Sequence, residues 1–308
     1  MKKTTTRSSL YDPLNDFLFY KVMGERGDEV QLLGFINAVL GKTEKDKFTS
    51  VEILENKTFT PENLGDKSVT FDVRAVLHGK IKVNVEVQLR NEHNMDKRSL
   101  FYWSEEYIKS LKAGQDYSEL PDVIAINIVD FDYVNTNSFH SCFHLRDDNE
   151  REVILTNSLE IHFINMVKYR KTRGRLKDPL SRWLTWFDRS SAPELIEEVV
   201  KMDSAIQTAD ERLLYLTGDE DAQRAYLVRF RAMCDLTSIQ NTSHKKGLEE
   251  GMEIGLTQGR EEGYAKGMNE GKVQDKLEVA KKALAKGLSV EMIHDITGLD
   301  IETIRKYE

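Results

Sequence analysis

The chain has 308 residues, with 44 Lys and Arg against 52 Asp and Glu, for a formal net charge of −8. That length can bury a full core in one large or two modest domains, and the acidic balance excludes nucleic-acid binding through overall charge, leaving it to a local basic patch. No apolar run nears the ~18 residues of a membrane span, the polar start Met-Lys-Lys-Thr-Thr-Thr lacks a secretory apolar core, and Cys142 and Cys234 alone exclude a disulfide framework or Cys-based zinc knuckle. The expectation is a cytoplasmic protein with no membrane partner.

In chain order, Asp12-Pro13 predicts a helix start, with Asp12 as N-cap and Pro13 in the first turn. Helical apolar spacing then runs over about 14–23 and 28–40, broken at Gly24 to Gly27 and ended by Gly41. Asp16 and Lys21 are polar residues of the first helix, and a solvated face accounts for both without further assumption. Residues 48–60 read as a strand, followed by a polar loop through Gly65-Asp66-Lys67.

The stretch 69–90 is the most informative. Val69, Phe71, Val73, Ala75 and Leu77 alternate with Thr70, Asp72 and Arg74, and Ile81, Val83, Val85, Val87 and Leu89 alternate with Lys82, Asn84, Glu86, Gln88 and Arg90. Period two on both sides of a Gly-containing break predicts a hairpin. A two-residue loop would send the two apolar sets to opposite faces and is excluded. The three-residue loop His78-Gly79-Lys80 pairs Leu77 with Ile81 and therefore sets Asp72 opposite Glu86. Opposed side chains have Cβ atoms roughly 4.5–5.5 Å apart, so two carboxylates there need a cation or a proton between them. A divalent metal site is one reading; the other is a polar strand face on which Arg74, Lys82 or Arg90 pairs with the acids.

Residues 94–113 predict a helix with Arg98, Tyr102 and Glu105 on one face and Gly114 as C-cap. The apolar run 122–131 reads as a central strand covered on both faces, so the order of elements describes a mixed α/β sheet. Two further strand-like runs occupy 138–167. His140, Cys142 and His144 alternate on one face of the first and His162 lies in the second; imidazole with thiolate would suit zinc, and simple packing is the alternative. Lys168, Arg170, Lys171, Arg173, Arg175 and Lys177 follow without an acid, a candidate for touching a phosphate backbone or a solvated loop.

Four segments are expected: a sheet domain over 1–175, a helical region over 176–240 with Pro179 and Pro193 at helix starts, a repeat over 241–275 and a small unit over 276–308. In the repeat, Gly247, Gly251, Gly255, Gly259, Gly263, Gly267 and Gly271 recur every fourth residue among charged neighbours. Each helical Gly costs about 1 kcal/mol against Ala, so the strict period favours a self-associating helix, a homodimer or higher homo-oligomer, over a flexible tether. Residues 273–308 read as three short helices of helix-turn-helix shape, with Ser289 and Asp300 as caps; the last has no clear basic face, so whether the unit binds DNA or protein stays open.

With these pieces placed, the chain resembles the PD-(D/E)XK nuclease family transposases, also called the recombination-promoting nuclease family. The resemblance rests on Asn15-Asp16-Phe17-Leu18-Phe19-Tyr20-Lys21, Phe71-Asp72-Val73-Arg74, Val85-Glu86-Val87-Gln88, Arg98 with Tyr102, Gly114-Gln115-Asp116-Tyr117 and Leu120-Pro121, and on the Gly-repeat tail. It implies a restriction-endonuclease-like α/β core and a Mg²⁺-dependent (or Mn²⁺-dependent) DNA endonuclease linked to mobile elements, recombination or defence. The metal acids carry over to Asp72 and Glu86, with Asp16 completing the metal's surroundings or holding a second ion. Gln88 stands where the general signature has lysine, so the missing charge would come from Lys21, Lys97 or Arg98. The competing expectation is a catalytically inactive DNA- or protein-binding module on the same fold, which Gln88 keeps open.

Overall fold

The computed structural model describes residues 11–27, 29–54 and 72–308. The second half of the expected strand 48–60, the polar loop after it and residues 69–71 of the hairpin lie outside them. The chain enters through α1 (Asp16–Met23) and α2 (Val30–Val39). Asp12 and Pro13 form a turn rather than the helix start: Asn15 N–H donates to the Asp12 carbonyl (2.9 Å), and the Asn15 side chain caps α1 by accepting from Leu18 N–H. The Pro fits the second position of that turn as well as it would a first helical turn.

Among the described residues six strands form one mixed sheet. They are β1 (Val51–Ile53), β2 (Val73–Leu77), β3 (Ile81–Gln88), β4 (Val123–Val129), β5 (His140–Phe143) and β6 (Leu159–Asn165), in spatial order β1-β2-β3-β4-β6-β5. β3, β4 and β6 run parallel and the other pairings are antiparallel. The hairpin register follows the parity of its faces, with Leu77 opposite Ile81 and Val73 opposite Val85. His78 and Gly79 at its tip have φ of 48° and 68°, the left-handed region that glycine adopts without strain. β4 is buried along its whole length, as the continuous apolar run requires.

The sheet has two unlike faces. On one, Val73, Ala75, Val83, Val85, Ile126 and Ile164 join a large core with Phe17 and Phe35 of the first two helices. The same core takes Trp183, Trp186 and Phe187 of α5, which follows α4 (Met166–Thr172) and spans Pro179–Phe187. It also takes residues of α6 (Pro193–Met202) and α7 (Ser204–Gly218). α7 lies so close to α2 that a Cβ on Gly34 would fall 2.5 Å from Ala205 Cβ. Residues 176–218 thus share the sheet's core, because their aromatic stripe has the sheet's apolar face as its partner. On the other face lies α3 (Met95–Ile108), the crossover from β3 to β4, whose Met95 packs with Ala125, Val129 and Phe163. α3 stops short of Gly114: Ser110 and Leu111 N–H bond three residues back rather than four.

The charged segment expected as separate helices is one helix, α8 (Glu220–Leu284). No proline interrupts it, and pairs such as Lys245–Glu249 and Glu278–Lys282 support it at i,i+4. Residues through Cys234 belong to one compact unit and those from Asp235 to a second. The second ends in α9 (Val290–Thr297) and α10 (Ile301–Arg305), joined at Gly298, whose φ is 66°. Val290, Ile293, Leu299 and Ile304 of this end pack on Ala280. No described helix is long and apolar enough to cross a membrane.

Candidate active site

The α3-facing side of the hairpin carries the candidate site. With Val73 opposite Val85, Asp72 and Glu86 are cross-strand neighbours, and both are buried. Asn84 lies two residues before Glu86 on the same face and Gln88 two residues after it; across the parallel pair, Glu86 faces Asn127 of β4. Alternation alone puts these polar groups in a line, and the crossover helix then roofs them.

Each acid has a basic partner. Arg74 Nε donates to Asp72 Oδ2 at 2.8 Å, and Arg98 Nη2, from the first turn of α3, donates to Glu86 Oε1 at 2.6 Å. Gln88 Nε2 donates to the same Glu86 oxygen at 2.7 Å. Glu106, in the last turn of α3, bridges Arg74 (3.2 Å) and Lys82 (3.5 Å). Burial pushes the Glu86 carboxyl up and the Asp72 charge adds to it, against the pull of Arg98 and Gln88. Glu86 Oε2 and Asn84 Oδ1 are buried oxygens with no hydrogen-bond partner among the described residues. Leaving such an atom unmatched costs about 1–3 kcal/mol. Two orphaned oxygens beside an opposed carboxylate fit a hard divalent cation, which takes oxygen ligands.

Asp16 is on α1, where Arg229 of α8 grips its Oδ2 at 2.7 and 3.0 Å. Its charge also acts on Arg90, two residues beyond Gln88. Asp16 therefore stands near the exit of β3, and its partner there is an arginine rather than Asp72 or Glu86. Lys21 Nζ bonds to Glu25, which also receives Arg212. Lys97 adjoins Arg98 on α3, but Arg98 is the cation at Glu86.

In the basic segment, Lys168 reaches Asp132 (3.0 Å), Arg170 holds Asp130 and Asp188, and Arg173 reaches Asp188 (3.2 Å). Lys171 and Arg175 are exposed. Asp130 N–H also donates to the Gln88 carbonyl at 3.0 Å, which ties this segment to the end of β3. Arg229 and Glu106 are the residues sequence reasoning missed. Glu106 had a signal in the helical spacing from Ser99, whereas nothing in the chain marks Arg229, which is 213 residues from its partner. Asn84 was legible in the alternation that exposed Glu86.

The chain thus presents a mixed α/β sheet with acids paired across a hairpin and a crossover helix over them. The family described as PD-(D/E)XK nuclease family transposase matches residues 13–243, and the chain belongs to it. Neither a curated protein nor a solved structure matches the chain. Family membership makes this a nuclease- or transposase-like protein with a PD-(D/E)XK core.

Proposed function

We propose that the protein is a divalent-cation-dependent DNA endonuclease, using Mg²⁺ or Mn²⁺, that hydrolyses phosphodiester bonds during the movement, recombination or clearance of DNA. The observation that carries this reading is the buried Asp72–Glu86 pair with Glu86 Oε2 left without a partner. Asp72, Glu86 and Asn84 would hold the cation, with Asp16 an outer acid at the same end of β3. When bound, such a cation polarises the phosphate and makes a water more acidic. In the reaction, water forms a new P–O bond while the bond from phosphorus to the leaving deoxyribose oxygen breaks.

The chain's own groups prepare that step. Gln88 turns its amide nitrogen to Glu86 with one N–H, and its carbonyl oxygen is the acceptor available to orient the attacking water. Arg98, already at Glu86, supplies the fixed positive charge that glutamine cannot; a guanidinium stays protonated, so it steadies charge on the phosphate and carries no proton. In open α/β sheets ligands bind outside the carboxyl ends of the strands. Gln88, Asp130 and the start of α4 lie at that end, so DNA would meet exposed Lys171 and Arg175. Lys168, Arg170 and Arg173 hold the segment through their ion pairs and contribute charge.

Supercoiled-plasmid cleavage tests the reading. Wild type should nick with Mg²⁺ and stop with EDTA. Asp72→Ala should lose about 10²–10³-fold, since such a cation supplies several kcal/mol in the transition state. Salt-dependent DNA binding that survives EDTA and Asp72→Ala, with no cleavage at any cation concentration, would instead identify a binding module.

Self-association through α8 belongs to the same proposal. A Cβ added at any glycine from Gly247 to Gly271 would meet no atom within 4 Å, and Leu248, Met252, Tyr264 and Met268 beside them are exposed. A stripe that is helix-weakening yet unused within its own chain supports a second copy as its partner. Gly255→Leu, Gly259→Leu and Gly263→Leu together strengthen helix propensity but block close approach. Light scattering should report a smaller oligomer, and an unchanged mass removes the stripe from assembly.

A further inference from the structure

The edge of the sheet carries a second constellation on the face opposite Asp72 and Glu86. Cys142 lies directly across from His162, and His140 across from Ile164. His162 in turn pairs with Ile126, a residue of the large core, whereas Glu86 pairs with Asn127. Glu160 and His162 thus share one face of β6, and His140 and Cys142 the matching face of β5, with His144 just beyond its end.

Their donor atoms converge. Cys142 Sγ lies 3.7 Å from His144 Nδ1, 3.8 Å from Glu160 Oε1 and 3.8 Å from His162 Nε2. His144 Nε2 lies 3.7 Å from Glu160 Oε2, and His162 Nε2 2.7 Å from Glu160 Oε1. Cys142, His144 and Glu160 each offer a ligand atom within 4.8 Å of the other two. Zn–S bonds of ~2.3 Å and Zn–N or Zn–O bonds of ~2.0–2.2 Å put neighbouring atoms of a tetrahedron about 3.3–3.6 Å apart. With one donor atom from each ligand, the three separations from Cys142 Sγ sit just above that range, and the contact between His162 Nε2 and Glu160 Oε1 is a hydrogen bond that coordination would open.

The surroundings match what a bound imidazole needs. His162 is nearly fully buried, and its other nitrogen, Nδ1, is 2.9 Å from His140 Nε2, with the two rings stacked. A ring nitrogen tied to a second group fixes tautomer and orientation so that the first can face a metal. One thiolate, one carboxylate and two neutral imidazoles would cancel the charge of a divalent ion. The ligand set is softer than the all-oxygen pair on the other face and suits zinc rather than Mg²⁺.

We infer that Cys142, His144, Glu160 and His162 form a zinc site that clamps edge strand β5 to β6, with His140 as the residue that orients His162. Binding replaces the Cys142 S–H and the His162–Glu160 hydrogen bond by bonds to the ion and releases the thiol proton to solvent.

The test uses the full-length, tag-free protein, stripped with chelator and titrated with Co²⁺ as a zinc surrogate, alongside zinc content by mass spectrometry. The expected result is one thiolate-bound ion per chain, read as a thiolate-to-Co²⁺ charge-transfer band that saturates at one equivalent. Cys142→Ala abolishes the band, while Cys234→Ala and Asp72→Asn leave it unchanged. His140→Ala should weaken the ion about 10–100-fold. Glu160→Gln, which removes a charge but little volume, should weaken it as well. Absence of a thiolate band in the full-length protein overturns the inference, as does a band that survives Cys142→Ala or an affinity unmoved by Glu160→Gln.

Discussion

The two faces of the sheet solve the problem of buried polar groups in opposite ways. On the α3 side, charges are kept and cancelled: Asp72, Glu86 and Glu106 meet Arg74, Arg98 and Lys82. On the β5–β6 side, one thiol and one imidazole are held neutral instead. Burial and the neighbouring Glu160 push the Cys142 thiol up to about 12, and burial together with the adjacent His162 ring brings His140 down to about 4. The first arrangement presents hard oxygens beside movable cations; the second presents a soft, preformed set on two paired strands. The comparison teaches that strand alternation delivers ligands to either face equally well. What lies against the ligands, an arginine-bearing helix on one face or stacked imidazoles near the sheet edge on the other, distinguishes the two sets.

The largest effect that would break this contrast falls on Glu86. Glu86→Gln removes the carboxylate while keeping size and the hydrogen bonds from Gln88 and Arg98, so cleavage should fall by at least about a hundredfold if the acid holds the cation. Stability should move the other way. Because the folded protein raises the Glu86 pKa, mainly by burial, the folded state binds its proton more tightly than the unfolded chain does. That favours folding below the unfolded pKa, and the advantage is lost as pH rises through the folded value. At neutral pH the buried charge is therefore a burden that Gln lacks. Thermal melts without divalent cation should show Glu86→Gln more stable than wild type at pH 7, with the gap closing below about pH 4. Added Mg²⁺ should raise the melting temperature of wild type only. A variant less stable at neutral pH would mean that the ion pair with Arg98 outweighs desolvation.

Much of the α3 face could be read from the chain, because it depends on local rules. Period two gave the hairpin, parity gave its register, and the register placed Asp72 opposite Glu86 before any tertiary contact was known. β4 was equally legible from Val123 to Val129, since a strand that is apolar at every position but Asn127 is one covered on both sides. What failed depended on competition or distance. Asp12 lost the cap of α1 to Asn15 because a Pro-containing turn was available upstream. The helix boundaries near 273 dissolved because charged i,i+4 pairs carried α8 through its glycines. The grip of Arg229 on Asp16 joins residues from the two ends of the compact unit, and no spacing rule reaches that far. The soft cluster was half visible: His140, Cys142 and His144 alternate in sequence, but Glu160 enters only through the pairing of β5 with β6.

A smaller effect sharpens the contrast, and it falls on Arg98. This guanidinium is 2.6 Å from Glu86 and is among the forces that hold the Glu86 pKa down against burial. Arg98→Gln keeps a hydrogen-bond donor but deletes the charge, so the Glu86 pKa should rise further. A protonated Glu86 does not hold a cation, and the acidic limb of the cleavage profile should therefore move to higher pH. Arg98→Lys should restore much of the position of that limb, since it returns the charge without the planar fork. The plateau rate at high pH separates two roles. If Arg98 only tunes Glu86, the plateau of Arg98→Gln should match wild type once Glu86 is ionised. If Arg98 also steadies charge on the phosphate, the plateau should stay roughly tenfold low, a loss of about 1.4 kcal/mol. We expect the lower plateau, because no other cation is bonded to Glu86 among the described residues and Gln88 supplies none.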